Sequence, residues 1–412
     1  MRSALVLIVI AILGLCGCQG GKSGSTSPPG QTAAASSTAG SGDAVFPPRA
    51  NAAWVYDPRD SQGRLEAGHF VDALNQYNLL ADARERIGLV HPYGGDMEMY
   101  CPNGDAALCQ PADFKLSYAL DSLSGALING LVGSGDQPTG AATLAYATGI
   151  SAATLGRRPL LAPTIDGVVS GSGYLEGFDD LSPEQAGAFA DKVARRMCSD
   201  PYVDGVQFDL EPFDVSTRNG QYYFYRRIAR DFAGAVAGCK DRNHPGGRFF
   251  SVFLPAHDMQ PGTAEGRNVA DIAAVAGNVY VIDPLYDLSS QPAGTRTPVA
   301  GYRQAALDEA SRTRQYADAL DVPYAFAVPA SATYHEYASC TGSACSGGSA
   351  PDGQLSYVEA AINAIQAAGA RSDALFRGVS VWAWADSVGW STARFSPATP
   401  PAGVLQYLAG TL

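Results

Sequence analysis

The sequence predicts an α/β fold, a (β/α)8 barrel of the TIM type with loop insertions. Three observations carry this. Short apolar runs alternate eight times with amphipathic helical stretches, and such alternation gives parallel strands covered by helices. Once an N-terminal tether is set aside, about 365 of the 412 residues remain, a length that suits eight units closed into one barrel. No GxGxxG follows the first run, so the competing open doubly wound sheet lacks its usual fingerprint.

The elements follow in order. Ala52–Pro58 (AAWVYDP) reads as a first strand, and residues 66–82 have helical spacing, with Phe70, Leu74, Tyr77 and Leu80 on one side. Arg86–Pro92 (RIGLVHP) is the second strand. Residues 93–158 hold a Gly-rich, cysteine-closed loop and an expected helix around 112–130. Pro159–Asp166 is the third strand. Ser182-Pro183-Glu184 then opens a helix to about Cys198, with Ser at N-cap and Pro at N1. Val203–Glu211 is the fourth strand, followed by a helix over 219–238. Strands at Phe249–Pro255, Val279–Leu285, Val322–Pro329 and Arg377–Ala385 alternate with helices at 268–276, 299–320, 355–369 and 402–410. In a barrel, chemistry collects at the C-terminal strand ends. Asp57, His91, Asp166, Asp209, Glu211, Asp283, Tyr286, Asp287, Trp382 and Asp386 recur there.

Apolar residues make up 46% and charged ones 17%, so a large core can form. A net charge of −12 without a basic cluster along the chain argues against nucleic acid as a partner. The chain lacks GxSxG and GxxxxGK[ST]; Gly167-Val168-Val169-Ser170-Gly171 places its Ser one position late. CxxC and HExxH spacings are also missing, so neither a metal nor an organic cofactor is expected. His69, His91, His244, His257 and His335 are scattered, and only His91 and His257 fall near strand ends. Tyr222-Tyr223-Phe224-Tyr225 is expected to pack a helix on the barrel.

The N-terminus adds an address. Arg2 precedes an apolar run from Ala4 to Leu15, too short to span a bilayer and suited to a signal peptide. Its end, Leu15-Cys16-Gly17-Cys18, resembles the lipobox of bacterial lipoproteins. That resemblance implies cleavage after residue 17, a lipid on Cys18, and, with Gln19 rather than Asp next, outer-membrane sorting where two membranes exist. Residues 18–44 are a Gly/Ser/Thr/Pro tether spanning roughly 28 Å root-mean-square, and 45–412 form the barrel domain. The expected contact with the membrane is through the lipid alone. Six further cysteines in an exported chain suggest disulfides. Sequence neighbours suggest Cys101–Cys109 and Cys340–Cys345, leaving Cys198 and Cys239 to pair.

The chemistry centres on Val203–Pro212 (VDGVQFDLEP). Side chains alternate along a strand, so Gln207, Asp209 and Glu211 share one face. Two carboxylates about 6.5–7 Å apart cannot both ionise cheaply. One keeps its proton, as a general acid must. Asp204-Gly205-Val206-Gln207-Phe208-Asp209-Leu210-Glu211 resembles the DGxxxDxE signature of family 18 glycoside hydrolases, the chitinase-like barrels. The resemblance implies that Glu211 protonates the glycosidic oxygen and Asp209 orients the substrate's N-acetyl group, whose carbonyl is the nucleophile. Leu285-Tyr286-Asp287 resembles the family's sixth-strand motif, whose Tyr hydrogen-bonds the acetamide. Gly378-Val379-Ser380-Val381-Trp382 resembles its eighth strand, whose Trp floors the sugar, and Ser170-Gly171-Ser172-Gly173 loosely resembles its Ser/Gly turn. Asp166, Asp204, Gln207, Asp287 and Trp382 are thus expected to bind substrate. Where the family has a second Asp, this chain has Gln207, which cannot share a proton, so a lower rate or shifted pH profile is expected. The expected function is retaining cleavage of a β-linked N-acetylhexosamine polymer. Its alternatives are a barrel that binds glycan without cutting it and a two-carboxylate glycosidase with Asp209 or Asp283 as nucleophile.

Overall fold

The computed structural model describes residues 46–55, 68–118, 120, 141–169, 174–288, 297–331, 353–384 and 400–412. Cys18 and its tether, Asp57, Ser170–Gly173, His335, Asp386 and the expected Cys340–Cys345 pair lie outside these residues. The described strands are β1 (Asn51–Val55), β2 (Ile87–Met99), β3 (Phe114–Tyr118), β4 (Leu160–Leu161), β5 (Thr164–Val168), β6 (Gly205–Glu211), β7 (Phe249–Phe253), β8 (Val279–Pro284), β9 (Tyr324–Pro329) and β10 (Phe376–Trp384). The helices are α1 (Gly68–Leu80), α2 (Ala141–Gly149), α3 (Ala152–Leu155), α4 (Pro183–Cys198), α5 (Gly220–Arg230), α6 (Ala264–Ala273), α7 (Val299–Leu320), α8 (Gln354–Ala367) and α9 (Ala402–Leu408). None of them is long and apolar enough to cross a membrane.

Parallel pairing runs β1-β10-β9-β8-β7-β6-β5-β2, and β2 pairs back onto β1. The sheet therefore closes, and the expected eight-stranded barrel is the observed fold. β4 and β5 together make its third stave, β4 on β2 through Leu89↔Leu160 and β5 between β2 and β6. Closure needs close backbone approach. A Cβ on Gly378 (φ +144°) would stand 2.3 Å from the Ala50 carbonyl oxygen, so glycine lets β10 lie against the start of β1.

Strand parity sorts the core into two layers. Trp54, Leu89, Phe249, Tyr280, Ile282 and Trp382 fill the barrel interior. Val206, Phe208, Phe250, Val281, Phe326 and Val381 face the helices. Phe208 meets Phe224 and Tyr225 of α5 at centroid distances of 5.4 and 6.0 Å, so the aromatic run of that helix packs on the barrel as its spacing predicts. α4 starts as expected: Ser182 accepts from Gln185 N, and the Gln185 side chain accepts from Ser182 N in a capping box. Cys101–Cys109 and Cys198–Cys239 are disulfide-bonded.

The helix expected around 112–130 is corrected over its described part. Phe114–Tyr118 pairs antiparallel with Gly95–Met99 of β2. Burial in FKLSY alternates with period two (buried Phe114, exposed Lys115 and Ser117), which is a strand pattern. β2 likewise runs seven residues beyond the expected Pro92.

Candidate active site

Phe208 faces α5, so its neighbours on β6 face inward. Gln207 is fully buried inside the barrel, accepting from Trp54 Nε1 at 3.3 Å and donating from Nε2 to the Phe208 carbonyl at 2.7 Å. Asp209 stands one step nearer the mouth and Glu211 reaches solvent there. The three form a column from the interior to the opening, as the alternation predicts.

Across the sheet the acids form a row. Asp96 of β2 is in register with Asp166 of β5, and Asp166 with Asp209 of β6. Paired Cα atoms on neighbouring strands lie about 4.8 Å apart. Carboxylates some 6 Å apart repel by about 2–3 kcal/mol at an effective dielectric near 20. That is enough to hold a proton in the row well above the usual carboxylate range. Burial, then the charge of Asp96, then Glu211 push the Asp166 pKa up to about 6, against the pull of the Gly167 N–H on its Oδ1 at 2.7 Å. Burial and Glu98 raise Asp96, while the Tyr93 hydroxyl donates to it at 2.8 Å and pulls the other way. Surrounding protein raises Glu211, and the charge of Asp287 raises it further. Asp287 is itself raised by burial.

Glu211 and Asp287 line one cavity of about 780 Å³ at this end of the barrel, with Asp209, Tyr286, Phe213, Phe253, His257, Asp258 and Glu309. The wall thus combines acids with aromatic faces, a composition suited to a polar ligand with apolar C–H surfaces. Lysine and arginine are missing from that lining. Among the described residues no His, Cys, Asp and Glu group is arranged to hold a metal.

Tyr286 follows β8 and packs against Trp382 at 4.7 Å and Phe253 at 5.8 Å. Trp382 sits beneath it, 5% exposed, edge-on to Trp54 at 6.2 Å, and outside the cavity lining. Its expected role as an open sugar platform is corrected to that of a floor under Tyr286. His91 is fully buried, stacks on Trp54 at 4.8 Å and donates from Nδ1 to the Ala162 carbonyl at 2.8 Å. Burial takes its pKa down to about 4, so it is neutral.

Three further expectations are corrected. Asp204 does not bind substrate at the mouth. It precedes β6 at the N-terminal end of the barrel, where Arg158 grips it at 2.7 and 2.8 Å, Leu161 N donates at 2.9 Å and His244 Nε2 lies at 3.2 Å. It joins β6 to β4. Gln207 does not line the cavity either, since both ends of its amide are committed inside the barrel. Asp283 cannot be a nucleophile. Tyr280 and Ile282 face the interior, so Asp283 faces outward, where it accepts from Thr313 Oγ1 of α7 and burial raises its pKa well above the usual carboxylate range.

Asp96 and Tyr93 were not legible as site residues, because Gly94-Gly95 reads as the end of a strand. A Cβ on Gly94 would stand 2.8 Å from the Thr164 carbonyl oxygen, so the glycine instead lets β2 pass close to β5. The alternation Asp96-Met97-Glu98-Met99, polar then apolar, was the available signal.

A scan against family models finds no match, and a search of curated proteins finds none. Among solved structures the chain is similar to a GH18 chitinase from Pseudoalteromonas aurantia (11% identity, 81% of this chain and 94% of that one, TM-score 0.42). It is similar to the C-terminal domain of a chitinase-like protein from Desulfitobacterium hafniense (13%, 81% and 94%, TM-score 0.43). It is also similar to the endo-beta-1,4-glucanase Xac0029 from Xanthomonas axonopodis pv. citri (11%, 88% and 98%, TM-score 0.43). These values are too low to assign a family. The barrel rests on its own strand pairing and the site on its own residues.

Proposed function

We propose that the chain is a glycoside hydrolase cleaving a β-linked, N-acetylhexosamine-containing glycan with retention, by substrate assistance. The observation that supports it most is the placement of Glu211, an acid whose pKa burial and the charge of Asp287 raise, at the mouth of a cavity with aromatic walls, directly above Asp209 on one strand face. Glu211 would give its proton to the glycosidic oxygen as the bond from C1 breaks. The acetamide carbonyl oxygen, oriented by Asp209, would attack C1 and form a cyclic intermediate. Water would then open that ring at C1 from the opposite face, with Glu211 accepting its proton, so the configuration is retained. Asp166, in register with Asp209, would carry the shared proton that Gln207 cannot. Tyr286 would donate to the acetamide from the cavity wall.

A second reading has one observation in its favour. Asp287 lines the same cavity and its charge acts on Glu211, which suits a two-carboxylate glycosidase with Asp287 as partner. We also propose that the chain is exported and anchored in the cell envelope through a lipid on Cys18, with residues 1–17 removed and 18–44 as tether. Mass spectrometry of the membrane fraction would show a diacylglyceryl mass on Cys18, and loss of membrane association in Cys18→Ser.

The test of the activity is reducing-end release by the full chain and its Glu211→Gln variant. The panel holds chitooligosaccharides, peptidoglycan strands and an acetyl-free glucan. Cleavage of N-acetylated substrates alone, lost in the variant, is expected. Cleavage of the glucan at a similar rate moves the mechanism to the Glu211/Asp287 pair. Binding by both proteins without cleavage by either makes the barrel a glycan-binding module.

A further inference from the structure

A second cavity, of about 460 Å³, lies at the opposite end of the barrel. Arg49, Arg84, Arg86, Arg157, Arg371 and Arg377 line it, and its lining includes no Asp or Glu. These arginines come from the segments just before or at the starts of β1, β2, β4 and β10, which the parallel pairing brings to one face. Six of the chain's 28 Lys and Arg thus meet in one concavity of a chain with net charge −12. They are far apart in sequence, so no basic run announces them.

Structural duty explains only part of this set. Arg49 donates to the Asp373 and Ala374 carbonyls at 2.9 and 2.7 Å, and Arg377 to Ala374 and Phe376 at 2.9 and 3.3 Å. Arg86 donates to the Thr154 carbonyl, while Arg371 reaches Glu85 at 3.3 Å and the Thr411 carbonyl. Neutral carbonyls do not offset the positive charge. Arg377 is 6% exposed, yet its Nε has no acceptor, and neither does the buried Nε of Arg86. Burial and the neighbouring charge of Arg49 pull the Arg377 pKa down to about 10, against the opposing charge of Asp373, so the crowding of cations outweighs the counter-charge there. Arg84 and Arg157 expose their side chains at the same cavity. The N-terminal end of a barrel usually serves stability alone, and an excess of like charge gathered there does not serve it.

We infer that this arginine cavity is an oxyanion-binding site, built for a phosphate group of more than one negative charge. Guanidinium forks match phosphate oxygens two by two, and several forks converging in excess of nearby carboxylates favour a dianion over a monoanion. Arg49 and Ala50, which line the cavity, follow directly on the first described residues of the barrel. The chain therefore enters the domain at this face, and a phosphate on a lipid headgroup and a free phosphate share the chemistry required.

The test uses the full chain, with inorganic phosphate and pyrophosphate as probes and sodium chloride at matched ionic strength as control. Melting temperature is followed against probe concentration. The second protein is Arg84→Gln/Arg157→Gln, whose substituted side chains are exposed and so leave the fold intact. Saturable stabilisation by phosphate, stronger with pyrophosphate and roughly tenfold or more weaker in the double variant, is expected. A shift matched by sodium chloride, or one equal in both proteins, overturns the inference, as does no shift at all. Sedimentation with phosphatidylcholine vesicles, with and without phosphatidic acid, whose phosphomonoester can carry a second negative charge, separates the sources. Extra retention on the anionic vesicles that phosphate competes away identifies headgroups, and phosphate stabilisation without it identifies a free phosphate.

Discussion

The two ends of the barrel are built from the same eight strands and carry opposite chemistry. At the C-terminal end, Asp209, Glu211, Asp258, Asp287 and Glu309 line a cavity with no lysine or arginine. At the N-terminal end, six arginines line a cavity whose lining includes no Asp or Glu. The acids in between differ in the same way. Asp204 is at the arginine end, where Arg158 and His244 hold it, and its work is to tie strands together. Asp166, at the acid end, has acids as neighbours and a pKa raised to about 6. A carboxylate given cations becomes a tie, whereas one given other carboxylates becomes a reservoir for a proton.

The sharpest way to break this comparison is at Glu211. Glu211→Gln is expected to lower kcat on an N-acetylated oligosaccharide by about 10²–10⁴ with little change in stability, read by reducing-end release beside a thermal melt. An unchanged rate would remove the acid end from the chemistry. Next in size is Asp204→Ala, which strands Arg158 and is expected to cost about 3–5 kcal/mol in a denaturant titration. The folded fraction should keep its kcat, and a lost kcat with intact stability would end the division of labour between the two ends.

Asp166→Asn sharpens the comparison through pH. The folded pKa of Asp166, about 6, lies above its ordinary 3.8. The folded state therefore holds the proton more tightly, and the stability this gives is present at low pH and lost as pH rises from about 4 through 6. Removing the titration should stabilise the chain by about 1–3 kcal/mol at pH 7 and change little below pH 4. Melts across that range check it. The same variant removes a negative neighbour from Glu211, so the alkaline limb of the rate profile should move to lower pH. The smallest expected effect is at Tyr286. Tyr286→Phe keeps the packing on Trp382 and loses only the hydroxyl, which should cost about tenfold in kcat/KM on N-acetylated substrates and less on others.

Periodicity was enough to read the barrel. Eight apolar runs with helices between them can bury both faces of a parallel sheet in few ways, and β6 fell where the count placed it. Parity also placed Asp209 and Glu211 on one face, because alternation along a strand is local geometry. Sequence neighbourhood likewise paired Cys101 with Cys109, and Cys198 and Cys239 were paired as the two cysteines left over. Register between strands is not local. That Asp96, Asp166 and Asp209 stand side by side depends on how β2, β5 and β6 slide against one another. Which end of β6 Asp204 serves, which way Asp283 points and what covers Trp382 also depend on neighbours far along the chain. The six arginines, spread from residue 49 to 377, become a cluster only when parallel strands bring their starts to one face. The sequence by itself determined the elements and the face each side chain takes within its own strand, since these follow from the backbone's short repeats. Tertiary structure alone decided which of those faces share charge, because electrostatic coupling depends on distance in space and a closed barrel joins residues hundreds of positions apart.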